Sequence, residues 1–393
     1  MFGIFPRACF ALLVPLYLSY AAAGRDLLAF QWDSLLLECG LLAVFLPRDR
    51  EASWIHLLFR VLLFKVYFES GLAKWQSSLG DWHDGSAMTL YYETAPLPTL
   101  LAWYAHQLPE WWHHLESRAT LVLELAVPFG VFGGRRLRLA AFFALTGFQL
   151  LNLATANYGF FVYLVLSLHL FLLDDRDLRW LPEWLRRPRA PAAPRRVPRR
   201  WEPARRAAAI ALCVFFAVAS SVQALRTFTD LPRLRELTEP LQSAWEPFRL
   251  VNTYHLFGHI TRERIEAEFQ TRQGDTWTPH DFWYKAGPLD RAPPFVAPHQ
   301  PRVDFRLWFY GLGFRRGVPR YAGTLLHRMC TDPAAVEPLF TSPLPASPEA
   351  VRIVFGRYHF TTADEREATG AWWKRRWLAM IPEVSCAEAR GDP

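Results

Sequence analysis

A polytopic α-helical membrane protein of about seven spans, carrying a C-terminal β-rich domain outside the cytoplasm, is the fold class that three observations predict. Apolar residues make up 51% of the 393, with 17 Trp and 30 Phe, and they crowd into long runs before residue 226. The arginines gather between those runs. Beyond residue 226 the long runs give way to short alternating stretches broken by prolines.

The runs fall at Phe2–Ala23, Leu27–Leu46, Trp54–Ala73, Ala119–Phe132, Leu137–Ala154, Tyr158–Leu173 and Ala207–Leu225. Each is long enough, or nearly so, to cross hydrocarbon, which takes about 20 helical residues. The first has a second reading, because Arg7, an apolar core and Ala21-Ala22-Ala23-Gly24 also suit a secretory signal peptide. The apolar run that follows almost at once favours a retained helix.

Charge sets the orientation. Residues 174–206 form a linker crowded with arginine and proline, which the positive-inside rule assigns to the cytoplasm. Alternation outward from it puts Arg135, Arg136, Arg138, Arg48, Arg50 and Arg7 on the same side. The aromatic segment 75–118 and everything after Leu225 then lie on the opposite face. The expected domains are a helical bundle over 1–225 and a β-rich domain over 226–393. An excess of Arg over Lys, with abundant Ala and Pro, points to a GC-rich bacterial genome. The expected setting is therefore the inner membrane with the C-terminal domain in the periplasm, or the endoplasmic reticulum membrane for a eukaryotic chain. The net charge of +7 does not read as nucleic-acid binding, because the arginines flank apolar runs instead of interleaving with aromatics on a soluble face.

In the C-terminal part, Ile265, Ala267 and Phe269, and again Val351, Ile353 and Phe355, alternate with the period of half-buried strands. Leu325–Met329 and Ala371–Ala379 read as short helices. Trp283–Asp304 fits neither period. Pro288, Pro293, Pro294, Pro298 and Pro301, with Pro279 upstream, deny it both helix and central strand. Aromatics and charges alternate through it (Trp283, Tyr284, Lys285, Asp290, Arg291, Phe295, His299, Arg302, Asp304), the composition of a rigid loop packed on something.

Ionisable side chains inside apolar runs cost roughly 2.5–3.5 kcal/mol each on insertion scales and so require an explanation. They are Asp33, Glu38, Arg60, Lys65, Glu69 and Glu124. The simplest explanation is mutual neutralisation, with Lys65 and Glu69 on one helix face and Arg60 or Lys65 paired to Asp33 or Glu38 on the neighbouring helix. A membrane enzyme of the vitamin K-dependent carboxylase-like type, with Lys65, Glu69 and His83 near a lipid or quinone-like substrate, is the alternative. His83, His106, His113 and His114 lack metal-ligand spacing, and there is no phosphate loop, nucleophile elbow or HExxH, so neither metal nor cofactor is expected. Asp81–Gly85 and Tyr91–Thr94 make segment 75–118 either an aromatic belt on the membrane or a structured docking surface. Cys9, Cys39 and Cys213 read as small buried hydrophobes; Cys330 and Cys386 are a possible disulfide pair in an oxidising compartment.

Several segments together resemble the lipase maturation factor family: FQWDSLLLECGLLAVFL (Phe30–Leu46), LYYETAPLPTLLAWYAHQLPEWWH (Leu90–His113), ELAVPF (Glu124–Phe129), NTYHLFGHITRERIE (Asn252–Glu266) and YKAGPLDRAPPFVAPHQPRVDFRLWF (Tyr284–Phe309). They occur in the family's order. The resemblance implies a membrane-bound, chaperone-like maturation factor, not a hydrolase, that assists folding or assembly of exported lipases or other secreted clients. In animals the family resides in the endoplasmic reticulum. Its partners would be the lipid bilayer and a secreted client, with no nucleic acid; oligomeric state is left open. The resemblance also makes Asn252, Tyr254, Lys285, Asp290, Arg291, Pro294, Phe295, His299, Arg302, Tyr92 and Glu93 the motif positions for client binding or structure. Tyr91, Ala95, Ala286 and Ala292 depart from the family pattern, and relatives carry sequence ahead of Phe2. Paired charges and prolines favour an internal brace for Trp283–Asp304, docked on the Tyr91–Pro98 loop, with client contact on the adjacent β-rich face.

Overall fold

In a computed structural model that describes residues 5–46, 53–179, 182 and 202–391, the helices are α1 (Pro6–Gly24), α2 (Gln31–Val44), α3 (Ser53–Trp75), α4 (Ala87–Thr94), α5 (Leu100–His106), α6 (Glu110–Leu125), α7 (Arg135–Thr155), α8 (Phe161–His169), α9 (Glu202–Phe228), α10 (Pro232–Trp245), α11 (Arg302–Leu312), α12 (Arg320–Thr331), α13 (Ala363–Thr369) and α14 (Cys386–Arg390), with shorter turns between them. The strands are β1 (Arg264–Gln273), β2 (Thr276–His280), β3 (Ala350–Phe360), β4 (Trp373–Met380) and β5 (Val384–Ser385). Arg48, Arg50 and most of the arginine-rich linker lie outside the described residues.

Among the described residues three helical stretches are long and apolar enough to cross a membrane: Pro6–Leu28, Arg135–Thr155 and Arg206–Phe228. The other expected runs are shorter, broken or charged. Helix α2 has 14 residues, about 21 Å at 1.5 Å per residue. Helix α3 has 23, but Arg60, Lys65, Glu69 and Lys74 interrupt its apolar run. The run Ala119–Phe132 ends helix α6 at Leu125 and continues as a tighter 3-10 turn over Val127–Phe132, where Pro128 removes a donor. Tyr158–Leu173 holds α8 and a 3-10 turn.

The chain forms two compact units that interleave along the sequence instead of dividing near residue 225: Met1–His83 with Arg118–Gln149 and Tyr163–His259, and Asp84–Ser117 with Leu150–Val162 and Ile260–Pro393. In the first, α1 packs on α2 and α9 on α3. Leu35, Leu42, Ile55, Leu62 and Leu63 are fully buried, whereas Ile210, Val214 and Val218 form an exposed apolar stripe along α9. Gly71 permits close helix approach, since a Cβ there would sit 2.8 Å from that of Glu124. Cys9 is exposed on α1, a correction to its reading as a buried hydrophobe, because α1 turns most of its apolar surface outward.

The second unit is built on an antiparallel sheet of order β2-β1-β3-β4, with β5 on β3. The strand expectations at 265–269 and 351–355 hold, and Leu325–Met329 lies within α12. Ala371–Ala379 is β4, not a helix, because Trp373–Met380 pairs with β3 through a bulge opposite Phe355 and Gly356. Odd-numbered residues Ala267, Phe269, Val351, Ile353 and Phe355 face the core under α11 and α12, joined by Leu307, Tyr310, Leu325 and Met329. Gly311 lets α11 lie on β1, as a Cβ there would meet the Ile265 carbonyl at 2.0 Å. Cys330 and Cys386 form a disulfide, with Cα atoms 5.0 Å apart, tying α12 to α14.

Candidate functional site

Two polar networks carry the sequence motifs, one in each unit. In the first unit an irregular stretch, Asn252–Leu256, is held by side chains of α2 and α3. Its backbone is neither helix nor strand, so its donors and acceptors need partners elsewhere. Lys65 Nζ donates to the Asn252 carbonyl (2.8 Å) and to Ser220 Oγ (3.1 Å). Glu69 accepts the Tyr254 N–H (2.8 Å), Ser70 Oγ the Leu256 N–H (3.3 Å), and Lys74 donates to the Leu256 carbonyl (2.8 Å). Glu38 accepts from the Tyr254 hydroxyl (2.6 Å) and from Asn252 Nδ2 (3.1 Å), with Lys65 Nζ 3.7 Å away. Lys74 pairs with Glu124 at 2.7 Å.

The expected neutralisation is thus present between Lys65 and Glu38, and the rest is arranged differently. Glu69, on the same face as Lys65, binds backbone. Asp33 accepts from the Tyr17 hydroxyl (2.6 Å) and the Phe30 N–H (3.3 Å) at the start of α2, and Arg60 donates to the Phe171 carbonyl (2.9 Å). Ser70 and Lys74 went unnoticed in the sequence; Lys74 lies just past an apolar run, a signal that was there to be used.

In the second unit the hub is Arg264, fully buried at the start of β1. Its guanidinium donates to the carbonyls of Glu93 (3.1 Å), Ala95 (2.6 Å) and Pro96 (3.1 Å), and pairs with Glu266 (2.6 Å). Glu266 pairs in turn with Lys285 of the proline-rich loop. Arg291 donates to the carbonyls of Phe282 (2.8 Å) and Lys285 (2.6 Å), closing the loop on itself. Asp304 accepts the Tyr284 N–H at 3.0 Å; its burial pushes the carboxyl up to about 6, against the opposing pull of that bond and of Lys285. Asn157 clamps the far side, donating to the Pro294 carbonyl (2.8 Å) and accepting from the Val296 N–H (2.7 Å).

The Tyr91–Pro98 stretch is buried throughout. Tyr92 donates to Glu116 (2.8 Å), and Glu93 accepts from the Phe360 N–H (2.7 Å) beside His359 Nδ1 (2.8 Å). These residues face inward, unlike a docking surface. The space beside the loop, among Pro98, Tyr284, Lys285, Pro294 and Trp373, is only about 10 Å³, far below the range of ordinary ligand pockets. Asp290, Phe295 and His299 point to solvent, and Arg302 stacks 5.7 Å over Phe160. Among the described residues no group of His, Cys, Asp or Glu is arranged to hold a metal. Arg264, Glu266 and Asn157 escaped sequence reading: the first two look like the solvent face of a strand, and a lone Asn carries no pattern.

On the even-numbered face of the sheet two arginines stack on tryptophans: Arg352 lies 3.9 Å over the Trp277 ring, toward the Arg272 end, and Arg375 4.1 Å over Trp377 on β4, in register with Arg264 and Glu266.

Residues 4–180 match the family profile described as lipase maturation factor transmembrane domain, and residues 250–382 the one described as lipase maturation factor C-terminal domain. Lipase maturation factor 2 of Homo sapiens is 30% identical, over 98% of this chain and 69% of its own length. Lipase maturation factor 1 of Bos taurus is 31% identical, over 97% and 72%. No solved structure matches significantly.

Proposed function

The chain belongs to the lipase maturation factor family, and from that membership we propose that it is a membrane-bound folding factor for exported lipases or other secreted proteins, not an enzyme. The observation that carries this reading is the match at both ends of the chain, to the transmembrane and the C-terminal profiles together. The Lys65–Glu38–Glu69 cluster supports it against the carboxylase-like alternative, because Lys65, Glu69 and Glu38 Oε2 are engaged by Asn252–Tyr254 and the other Glu38 oxygen faces Lys65 Nζ at 3.7 Å. The membrane region comprises the three long apolar helices, completed by the shorter runs. The arginine-rich side faces the cytoplasm and the disulfide-bearing unit faces an oxidising compartment, the periplasm in a bacterial cell.

Within that unit the proline-rich loop acts as a brace, and the client meets the even-numbered face of the sheet at its two stacked pairs, Arg352–Trp277 and Arg375–Trp377. Arginines stacked on tryptophan are held in place before binding, which reduces the ordering cost at an interface. Deleting the gene is expected to lower active secreted lipase at unchanged transcript level; unchanged yield would sink the maturation role. Complementation with Arg352→Ala/Trp377→Ala is expected to restore membrane protein level but less than about half of the lipase activity, in line with losses at aromatic and arginine anchors. Full restoration would remove this surface and leave the role standing.

A further inference from the structure

Helices α5 and α6 turn their apolar residues away from the protein. Ala102 and Trp103 of α5 and His113 and Ser117 of α6 are buried and make the inward contacts; Trp103 Nε1 donates to Thr361 Oγ1 at 3.3 Å. The outward positions are Leu100, Leu101, Tyr104, Leu108, Trp111 and Leu115, with Trp111 65% and Tyr104 53% exposed. A helix packed on one face and wet on the other carries charged residues at such positions. Here the six side chains expose on the order of 600 Å², at the upper end of the largest apolar patch that a typical monomer leaves exposed and often uses. Glu110 is charged on this outward face and lies 3.5 Å from His114, and Arg118 is exposed one turn beyond Leu115.

We propose that α5 and the first two turns of α6 lie in the plane of the membrane surface, with Leu100, Leu101, Leu108 and Leu115 in the acyl boundary and Tyr104 and Trp111 at headgroup depth. Composition separates a lipid partner from a protein one. Protein hot spots favour Trp, Tyr and Arg and under-use Leu, whereas interfacial helices combine Leu with Trp on the buried face. Leucine dominates here, and the arginine Arg118 lies only at the edge of the patch. The patch also has no Lys, so its insertion is driven by apolar area and does not require anionic lipid. This proposal stands apart from the client reading: one concerns the sheet, the other these helices.

The test uses the full chain with Cys9→Ser, reconstituted in phosphatidylcholine vesicles, with a bimane label at Leu101→Cys or, independently, Trp111→Cys, and a control label at Asp275→Cys in the exposed β1–β2 turn. Lipid carrying a nitroxide near the carbonyl region is expected to reduce emission at positions 101 and 111 about twofold or more, leave 275 nearly unchanged, and give the same result when a third or so of the lipid is anionic. Equal quenching of all three labels by aqueous iodide, with no effect of nitroxide lipid, would overturn it. So would shielding of 101 and 111 that appears only when an exported lipase is added, which makes the patch a protein dock.

Discussion

Arg264 shows what a single side chain contributes here. Three carbonyls of the buried Glu93–Pro96 turn point at the two Nη groups of one guanidinium, which also pairs with Glu266. A lysine has fewer donors and no planar fork, so it leaves part of this set unsatisfied. Asp304, in the same network near Lys285 and Glu266, is a carboxyl held above its ordinary value, so the sign of its pH effect is unusual. Unfolded it titrates near 3.8, folded near 6, so between those values the folded state holds more of the proton. Its contribution is therefore full below the lower value and is lost as pH rises through the upper one, by at most about 3 kcal/mol. Asp304→Asn keeps an acceptor for the Tyr284 N–H and removes the titration. The melting temperature of the variant in detergent is expected to vary less than that of the wild type between about pH 4 and 6. Parallel curves would show that Asp304 does not titrate there.

At the scale of elements, the consequential contact is Asn252–Leu256 on α2 and α3. Lys65→Met strands the Glu38 carboxylate and the Asn252 carbonyl together, and breaking a buried pair this way costs about 3–5 kcal/mol. Lys65→Met/Glu38→Gln removes the stranded charge and is expected to recover part of that loss, read as the detergent concentration or temperature at which the protein unfolds; a double variant no better than the single would show that Glu38 carries no charge to strand. The sequence made it legible that such charges needed partners, since charge in an apolar run always does. It did not reveal that most of the partners are backbone atoms far along the chain, because irregular segments have no periodicity to match. Strands β1 and β3 were legible from alternation at 265–269 and 351–355. The same alternation misled at Arg264 and Glu266, where the polar face is roofed by loops, and β4 was hidden because Lys374, Arg375 and Arg376 with their tryptophans fit helix and edge strand alike. That Trp283–Asp304 is neither helix nor strand through its proline run was legible, but Asn157, which clamps it, was not.

For the whole molecule, the open question of orientation has a direct readout. The arginine-rich linker at 174–206 offers trypsin many sites, and the positive-inside rule assigns it to the cytoplasm. Trypsin is expected to cut the chain between residues 174 and 206 in inside-out vesicles and to spare that segment in intact spheroplasts. The reverse pattern would invert the topology and put the Cys330–Cys386 bridge in a reducing compartment.

The long reach between α3 and Asn252–Leu256 also sets a schedule for biosynthesis. Lys65 and its carbonyl partner are 187 residues apart. At 5–20 residues per second, a ribosome needs roughly 10–40 s to make that intervening chain. For all that time Lys65, Glu69 and Lys74 lack the backbone they finally hold, so their charges need other partners meanwhile. A chain cut short before residue 252 never gains those partners, even though the three long apolar helices have been made.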